Sequence, residues 1–301
     1  MAEGPLVSVI TIAHNRPDAL SEFLDSVLRS AHHNIEVLVV NNSEERYRIG
    51  YEEVLARYPG VVHLWSGRNL LISGALNWGI SLAGGEFLLC CGDDNVFDQE
   101  MTGRLVEFMV GVKDVAIAGP VIYYANGEGI LTAGHSISLT SGLPANTRND
   151  LIENMEVDIV DNVFMIRAAA LKEVGGFDER NFPFYLESAD LCMRARNHGY
   201  RCMTVKEARA WHKYAPLTAG VIPDPDRYGA NPITYYYLLK TKIRYIRKYS
   251  TVAQKLIFFS VFLPLLAVWH GGIVAFRSRQ NPRGKLAAIV RGIWEGVVGS
   301  L

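Results

Sequence analysis

Cysteine is scarce in this chain: Cys90, Cys91, Cys192 and Cys202 are the four in 301 residues, two of them adjacent in an apolar run, with no CxxC pair. That spacing supplies neither a zinc site nor a disulfide framework. All four are therefore expected as small buried apolar residues in a reducing compartment. Net charge is also nearly absent, at -1, which argues against a nucleic-acid-binding surface. The opening Met1-Ala2-Glu3-Gly4-Pro5 has neither the basic start nor the apolar run of a signal peptide, so the body of the chain is expected in the cytosol. No internal repeat is visible. Hydrophobic residues make up 49% and charged residues 20%, enough for a packed core without disorder. The length allows one large α/β domain or two modest ones. Charge is unevenly spread: the middle is acidic, and the last third is basic around an apolar stretch. That asymmetry points to a tail with a different partner from the body.

The first half alternates short apolar runs with helical periodicity. Val7 to Ile12 reads as a buried strand, broken by His14-Asn15-Arg16-Pro17-Asp18. Pro17 and Asp18 suit a helix start, and Leu20, Phe23, Leu24, Val27 and Leu28 follow at helical spacing. Ile35 to Val40 is a second strand ending in Asn41-Asn42-Ser43, and a helix over Tyr51 to Tyr58 precedes a strand over Val61 to Trp65. A helix over Ser73 to Leu82 leads to the strand Glu86 to Cys91, which runs into Gly92-Asp93-Asp94-Asn95. Apolar strands alternating with helices predict a parallel sheet covered on both faces, with ligands bound beyond the carboxyl ends of the strands. From Ala116 to His135 short strands and turns are expected. The polar stretch Ser136 to Asn154 is long enough to be a functional loop, and order returns from Val157 to about His212.

Three clusters carry chemistry. Paired carboxylates at Asp93-Asp94, where a buried strand ends, are costly without a cation and suit Mg2+ or Mn2+. A turn with a helix cap would use the same residue types. Glu187, Asp190 and Arg194 share a face if a helix begins near Glu187. A carboxylate there could act as a general base, or could belong to a dipole-compensating ion pair. His212 follows an apolar strand and is either structural or a ligand.

Taken in order, the motifs resemble the family 2 glycosyltransferases, which have the GT-A fold, over roughly Leu6 to Tyr214. They are Val7-Ser8-Val9-Ile10 with Asn15-Arg16, Val39-Val40-Asn41-Asn42-Ser43, Asn69 with Gly74-Ala75 and Asn77-Trp78-Gly79-Ile80, and Asp93-Asp94. Gly175-Gly176-Phe177-Asp178-Glu179, the segment Glu187 to Arg194 and Ala210-Trp211-His212 complete the set. The flavour is that of rhamnosyltransferase-type enzymes of surface polysaccharide or lipid-linked glycan assembly. The resemblance implies a mixed, mostly parallel sheet flanked by helices: a GT-A domain over 1–215 with a nucleotide-sugar-binding half (1–115) and an acceptor half (116–215). It implies inverting transfer of a sugar from a nucleotide-sugar donor to a hydroxyl of a glycan or lipid-linked acceptor. Ala13, Asn15, Arg16, Asn41, Asn42, Ser43, Asn69, Ser73, Asn77 and Asp93 would line the donor pocket. Asp94, with Asp93 adjacent and His212, would hold Mn2+ or Mg2+. Where the family usually reads Glu-Asp this chain has Glu187-Ser188, and serine is a poor base without an activator. Glu187 is the expected base and Asp190 the second choice. A non-catalytic homologue or a nucleotidyltransferase stands as the alternative, although the N-terminus lacks the Gly-rich basic signature of the latter.

The tail, 216–301, is expected to be helical. Tyr235-Tyr236-Tyr237 leads into Lys240, Lys242, Arg244, Arg247 and Lys248, giving a basic aromatic helix. Leu256 to Phe276 is almost wholly apolar and just long enough to span a bilayer, yet Pro264, His270 and Gly271-Gly272 interrupt it. Basic residues flank both ends, which favours helices lying in the cytoplasmic face of a membrane through residues 235–295. A single span, a buried hairpin and a homo-oligomer interface are the other readings.

Overall fold

The computed structural model describes residues 4–127, 129–146, 153–213, 225–226 and 230–301. The chain divides into two compact units, the first comprising 1–136, 146–179 and 187–217 and the second comprising 137–145, 180–186 and 218–301.

The first unit begins β1 (Val7–Ala13), α1 (Pro17–Leu28), β2 (Ile35–Asn41), α2 (Arg48–Leu55), β3 (Val61–Trp65), α3 (Leu71–Leu82) and β4 (Phe87–Gly92). It continues β5 (Asn95–Phe97), α4 (Met101–Gly111), β6 (Val115–Tyr124), β7 (Ile130–Thr132) and β10 (Met155–Glu156), while β8 (His135–Ile137) and β9 (Pro144–Asn146) run across the residue boundaries of the two units. It closes with β11 (Val163–Arg167), α5 (Ala168–Val174), α6 (Glu187–Asn197) and β12 (Arg201–His212). Among the described residues the main sheet runs β10-β12-β6-β11-β4-β1-β2-β3, with β5 on β12 and β7 on β6. The run β4-β1-β2-β3 is parallel, whereas β11 is antiparallel to both β4 and β6.

Alternation along β1 explains why the sheet is covered twice. Val7, Val9 and Ala13 pack with Leu20, Phe23, Leu24 and Val27 of α1 on one face. Ile10 packs with Leu38, Val40 and the Ala75 and Leu76 side chains of α3 on the other. Each large apolar side chain so buried stabilises the fold by roughly 1.5–3 kcal/mol. α3 lies so close to the sheet that a Cβ on Gly79 would fall 2.5 Å from Ile10 Cγ2.

Three local readings are corrected. The second helix starts at Arg48, after a short 3-10 turn over Glu45–Tyr47, and stops at Leu55. Arg48 pairs with Glu52 at 2.8 Å to support the added turn, and Pro59 disfavours helical backbone at Tyr58. α4 was not anticipated, although Met101, Leu105, Val106 and Met109 repeat at helical spacing and are buried. Of the short strands and turns expected over Ala116 to His135, the turn near Asn126-Gly127 and the short strand β7 are found, but the first strand is longer than expected, the ten residues of β6. Pro120 is tolerated there because β11 pairs with β6 only at Ile117 and Ala118, and β12 bulges between Val205 and Arg209 beside it. All four cysteines are buried and free, as their spacing implied. Of the expected loop over 136–154, residues 147–152 lie outside the described residues, as do Tyr214 and much of 216–229 in the tail.

The second unit is helical: α7 (Pro232–Tyr249), α8 (Val252–Ile257), a π-helical turn over Phe258–Phe262, α9 (Leu263–Arg277) and α10 (Pro282–Val298). The Asn231 side chain caps α7 by accepting from the Thr234 N–H at 3.0 Å. α10 approaches α7 so closely that a Cβ on Gly292 would lie 2.4 Å from the Tyr236 carbonyl oxygen. Glu295 of α10 accepts from Lys240 Nζ at 2.8 Å. Val252–Arg277 forms 26 residues of continuous helix, with a mean hydropathy of 2.0 over its 18-residue apolar window, long and apolar enough to cross a membrane. Much of its apolar surface is uncovered: Val268 is 74% and Phe276 91% exposed, and Trp294 of α10 is 66% exposed.

Candidate active site

The sheet order places β1 between β2 and β4. The chain runs from β1 to β2 and β3 on one side and returns through α3 to β4 on the other, and this reversal opens a crevice between the carboxyl ends of β1 and β4. Two loops meet there. His14, Asn15 and Arg16 follow β1; Asp93 and Asp94 follow β4, and the Asp93 N–H donates to the Ile12 carbonyl at 3.2 Å. β5 then pairs antiparallel with the end of β12, setting Asn95 opposite His212. The Lys213 N–H donates to the Asp94 carbonyl at 2.9 Å, which holds the end of β12 against this turn.

Four side chains converge as a result. The Arg16 guanidinium lies 3.2 Å from Asp94 Oδ2 and 3.5 Å from Asp93 Oδ1. His212 Nε2 lies 3.8 Å from the same Asp94 oxygen. Asp93 is 2% exposed, and its Oδ2 is buried without a hydrogen-bond partner among the described residues. Burial pushes the Asp93 carboxyl up to about 8, the Asp94 charge adds to this, and Arg16 opposes it. The orphaned oxygen, the second carboxylate and the imidazole form a donor set that suits a hard or borderline divalent cation. Among the described residues no group of three or more His, Cys, Asp or Glu is arranged to hold one.

Most of the residues expected around the donor spend their polar atoms on backbone groups and neighbouring loops. Asn42 donates to the Leu71 carbonyl at 2.8 Å and accepts from the Leu70 N–H at 3.1 Å, fixing the entry to α3. Its own N–H donates to the Ala13 carbonyl at 2.8 Å. Asn41 accepts from the Ser43 N–H at 3.0 Å, and Ser43 Oγ accepts from the Asn15 N–H at 2.8 Å. Asn15 takes a left-handed backbone, φ 56, which asparagine tolerates better than most side chains. The Arg16 N–H donates to Tyr51 Oη at 2.8 Å. Asn69 turns the chain into α3 by accepting from the Leu71 N–H at 2.7 Å, and Ser73 is fully buried within α3. Asn77 pins the Gly175–Glu179 loop: it accepts from the Phe177 N–H at 2.9 Å and donates to the Phe177 carbonyl and Glu179 Oε1.

A second acidic group lies at the start of α6. Asp190 is fully buried, and its Oδ2 accepts from Arg194 Nε at 2.9 Å. Arg194 also donates to the carbonyls of Val174, Gly175 and Gly176 at 2.6, 2.9 and 2.8 Å. That clamp ties α6 to the loop after α5. Glu187 Oε2 is buried without a partner. Burial, and then the charge of Asp161, push the Glu187 carboxyl up to about 8. Sequence reasoning missed Asp161. Its Oδ1 accepts from Ser188 Oγ at 3.1 Å and from the Asn162 N–H at 2.7 Å. Because β11 runs antiparallel to β4 with Val163 opposite Cys91, Asp161 emerges at the sheet edge where Asp93 and Asp94 leave β4. The apolar start of β11 was visible in the sequence; its reversed pairing beside β4 was not.

The model of the family described as "Glycosyl transferase family 2" matches residues 8–175, more than half of the chain. The chain belongs to this glycosyltransferase family. It is 27% identical over 244 residues, 74% of its length, to the O-antigen biosynthesis protein RfbC of Myxococcus xanthus. It is 28% identical over 179 residues, 58% of its length, to an uncharacterized glycosyltransferase of Rickettsia felis. These matches span only 18% and 29% of the relatives' lengths. Among solved structures, GalNAc-T7 with UDP, GalNAc and Mn2+ aligns with a TM-score of 0.64 at 15% identity, covering 97% of this chain and 55% of that one. The mannosyltransferase PcManGT of Pyrobaculum calidifontis, in complex with GDP-Man and Mn2+, aligns at 0.59 and 14% identity, covering 100% and 89%. The fold is thus GT-A.

Proposed function

We propose that this chain transfers a sugar from a nucleotide-sugar donor to a hydroxyl of a glycan or lipid-linked acceptor, inverting the anomeric configuration. The observation that carries this reading is the convergence of Arg16, Asp93, Asp94 and His212 at the mouth of the β1–β4 crevice. A sugar nucleotide brings a diphosphate, and buried carboxylates alone would repel it. Asp94 and His212 would hold Mn2+ or Mg2+, with Asp93 beside them; when bound, the ion neutralises charge on the departing nucleoside diphosphate. Arg16 supplies a second positive group for the phosphates. The Asn41–Ser43 turn, braced by Asn15, forms the floor for base and ribose. Family membership and the nucleotide sugars and Mn2+ named with the GT-A neighbours support the same donor class.

The acceptor side carries a membrane reading. The exposed apolar residues of α8 to α10 are rimmed by Lys255, Arg277, Arg279 and Arg283, with Trp269 and Trp294 among them. Apolar burial with a cationic rim and interfacial tryptophans suits a helical surface lying on anionic lipid. Cations at both ends disfavour a simple span. Attachment of this kind would keep the enzyme beside a lipid-linked acceptor at the cytoplasmic face.

A thermal-shift panel of UDP-, GDP- and dTDP-sugars with and without Mn2+ tests the donor reading. One nucleotide class should raise the melting temperature, and only with the ion, because a ligand of the folded state stabilises it. No shift across the panel contradicts the proposal.

A further inference from the structure

Three carboxylates lie near the start of α6, and their surroundings differ. Asp190 is fully buried and neutralised by Arg194, whose remaining donors are spent on backbone carbonyls. It can neither reach a substrate hydroxyl nor accept its proton without breaking the clamp. Glu187 has one oxygen sealed from solvent with no partner, and burial favours its neutral form. Asp161 is half-buried, and both of its hydrogen bonds fall on Oδ1. Its Oδ2 has no hydrogen-bond partner among the described residues.

We propose that Asp161 is the catalytic base of the transfer, with Ser188 as a positioning residue that orients its carboxylate. This rests on the transferase reading above. The Ser188 hydroxyl donates to Oδ1 and leaves Oδ2 without a hydrogen-bond partner among the described residues. The Asn162 N–H donates to the same oxygen as Ser188, Oδ1, at 2.7 Å. The left-handed backbone of Asn162, φ 70, makes the sharp turn that presents Asp161 just before β11. The antiparallel register of β11 with β4 brings that turn to the edge where Asp93 and Asp94 stand. Ser188 occupies the place where the sequence led us to expect a carboxylate, and the carboxylate is supplied from across the hydrogen bond, by a different element.

In the step itself, the acceptor hydroxyl gives its proton to Asp161 Oδ2 as its oxygen bonds to the anomeric carbon. The bond from that carbon to the diphosphate oxygen breaks, and its electron pair leaves with the nucleoside diphosphate. The products are the glycoside, the nucleoside diphosphate and one proton held on Asp161.

The test measures nucleoside diphosphate release from UDP-GlcNAc, GDP-mannose and dTDP-rhamnose in Mn2+, with water and octyl glucoside as acceptors. On any donor that the native protein turns over, Asp161→Asn should lose at least about a hundredfold in kcat, the usual worth of a general base. The melting shift produced by that donor should be kept, and Glu187→Gln should retain activity within about threefold. A smaller loss in Asp161→Asn, or abolition by Glu187→Gln alone, overturns the base assignment and leaves the transferase reading standing. Native protein that releases no nucleoside diphosphate from any of the three overturns the transferase reading and the base with it. Should Asp161→Asn fail to fold, Asp161→Ser is compared with Asp161→Ser/Ser188→Asp, which exchanges the two groups across their hydrogen bond. The exchanged variant should recover activity over the single one; equal activity overturns the proposal.

Discussion

Asp190 and Arg194 form a structural clamp, and that assignment makes a prediction separable from catalysis. Arg194→Ala removes one partner of an ion pair whose carboxylate is fully buried and strips the carbonyls of Val174, Gly175 and Gly176 of their donor. Breaking a buried pair in this way costs about 3–5 kcal/mol. For a unit of this size that lowers the melting temperature by roughly 2–4 °C per kcal/mol, or about 6–20 °C. Asp190→Asn keeps an acceptor for Arg194 Nε and should cost less, on the order of 1–3 kcal/mol. Thermal denaturation followed by tryptophan fluorescence gives the stability. Nucleoside diphosphate release per folded molecule, measured well below the transition, gives the activity. Both variants should lose stability while the folded fraction of Asp190→Asn turns over donor within a few-fold of the native rate. A variant of Asp190 with an unchanged melting temperature and a thousandfold lower rate would refute the clamp and make this carboxylate a chemical group.

Two further outcomes are expected. Glu187 holds its proton up to about 8 in the folded protein against an ordinary value of 4.5, so the folded state binds more protons than the unfolded between these values. Its stabilising contribution is full below about pH 4.5 and is lost as pH rises through about 8, by up to about 1.4 kcal/mol per pH unit; melting curves from pH 5 to 9 should therefore fall less steeply for Glu187→Gln, and parallel curves would contradict the assignment. In flotation with vesicles, the chain should bind those containing anionic lipid, and Phe276→Ser/Trp294→Ser should bind at least about a hundredfold more weakly, each large side chain being worth roughly 1.5–3 kcal/mol of apolar burial; equal flotation of both proteins, or recovery of the native chain as a soluble species without vesicles or detergent, contradicts membrane docking.

Much of the fold was legible because its signals are local. The apolar runs of β1, β2 and β4 and the Pro17-Asp18 start of α1 needed only periodicity and helix-start chemistry. What failed was non-local. A short strand was expected from Ala116, and only the bulge in β12 and the short reach of β11 make the longer strand through Pro120 tolerable. At the site, Asp93, Asp94, Arg16 and His212 were legible as residue types, and the structure brings them within one cluster. The asparagines were expected at the donor site, and their work as scaffold was not legible: that Asn42 and Asn77 consume their amides on backbone depends on loops distant in sequence. Asp161 was invisible for the same reason, since its proximity to Ser188 is made by the reversed pairing of β11 with β4.

The most direct measurement is calorimetric titration of UDP, GDP and dTDP into the native protein and into Asp94→Ala, in Mn2+ and again in EDTA. One nucleoside diphosphate should bind the native protein in Mn2+, weaken at least tenfold in EDTA, and bind Asp94→Ala with the weak affinity in both buffers. Equal affinity in EDTA and Mn2+, or an Asp94→Ala variant that keeps the full effect of the ion, would contradict a cation site at the end of β4.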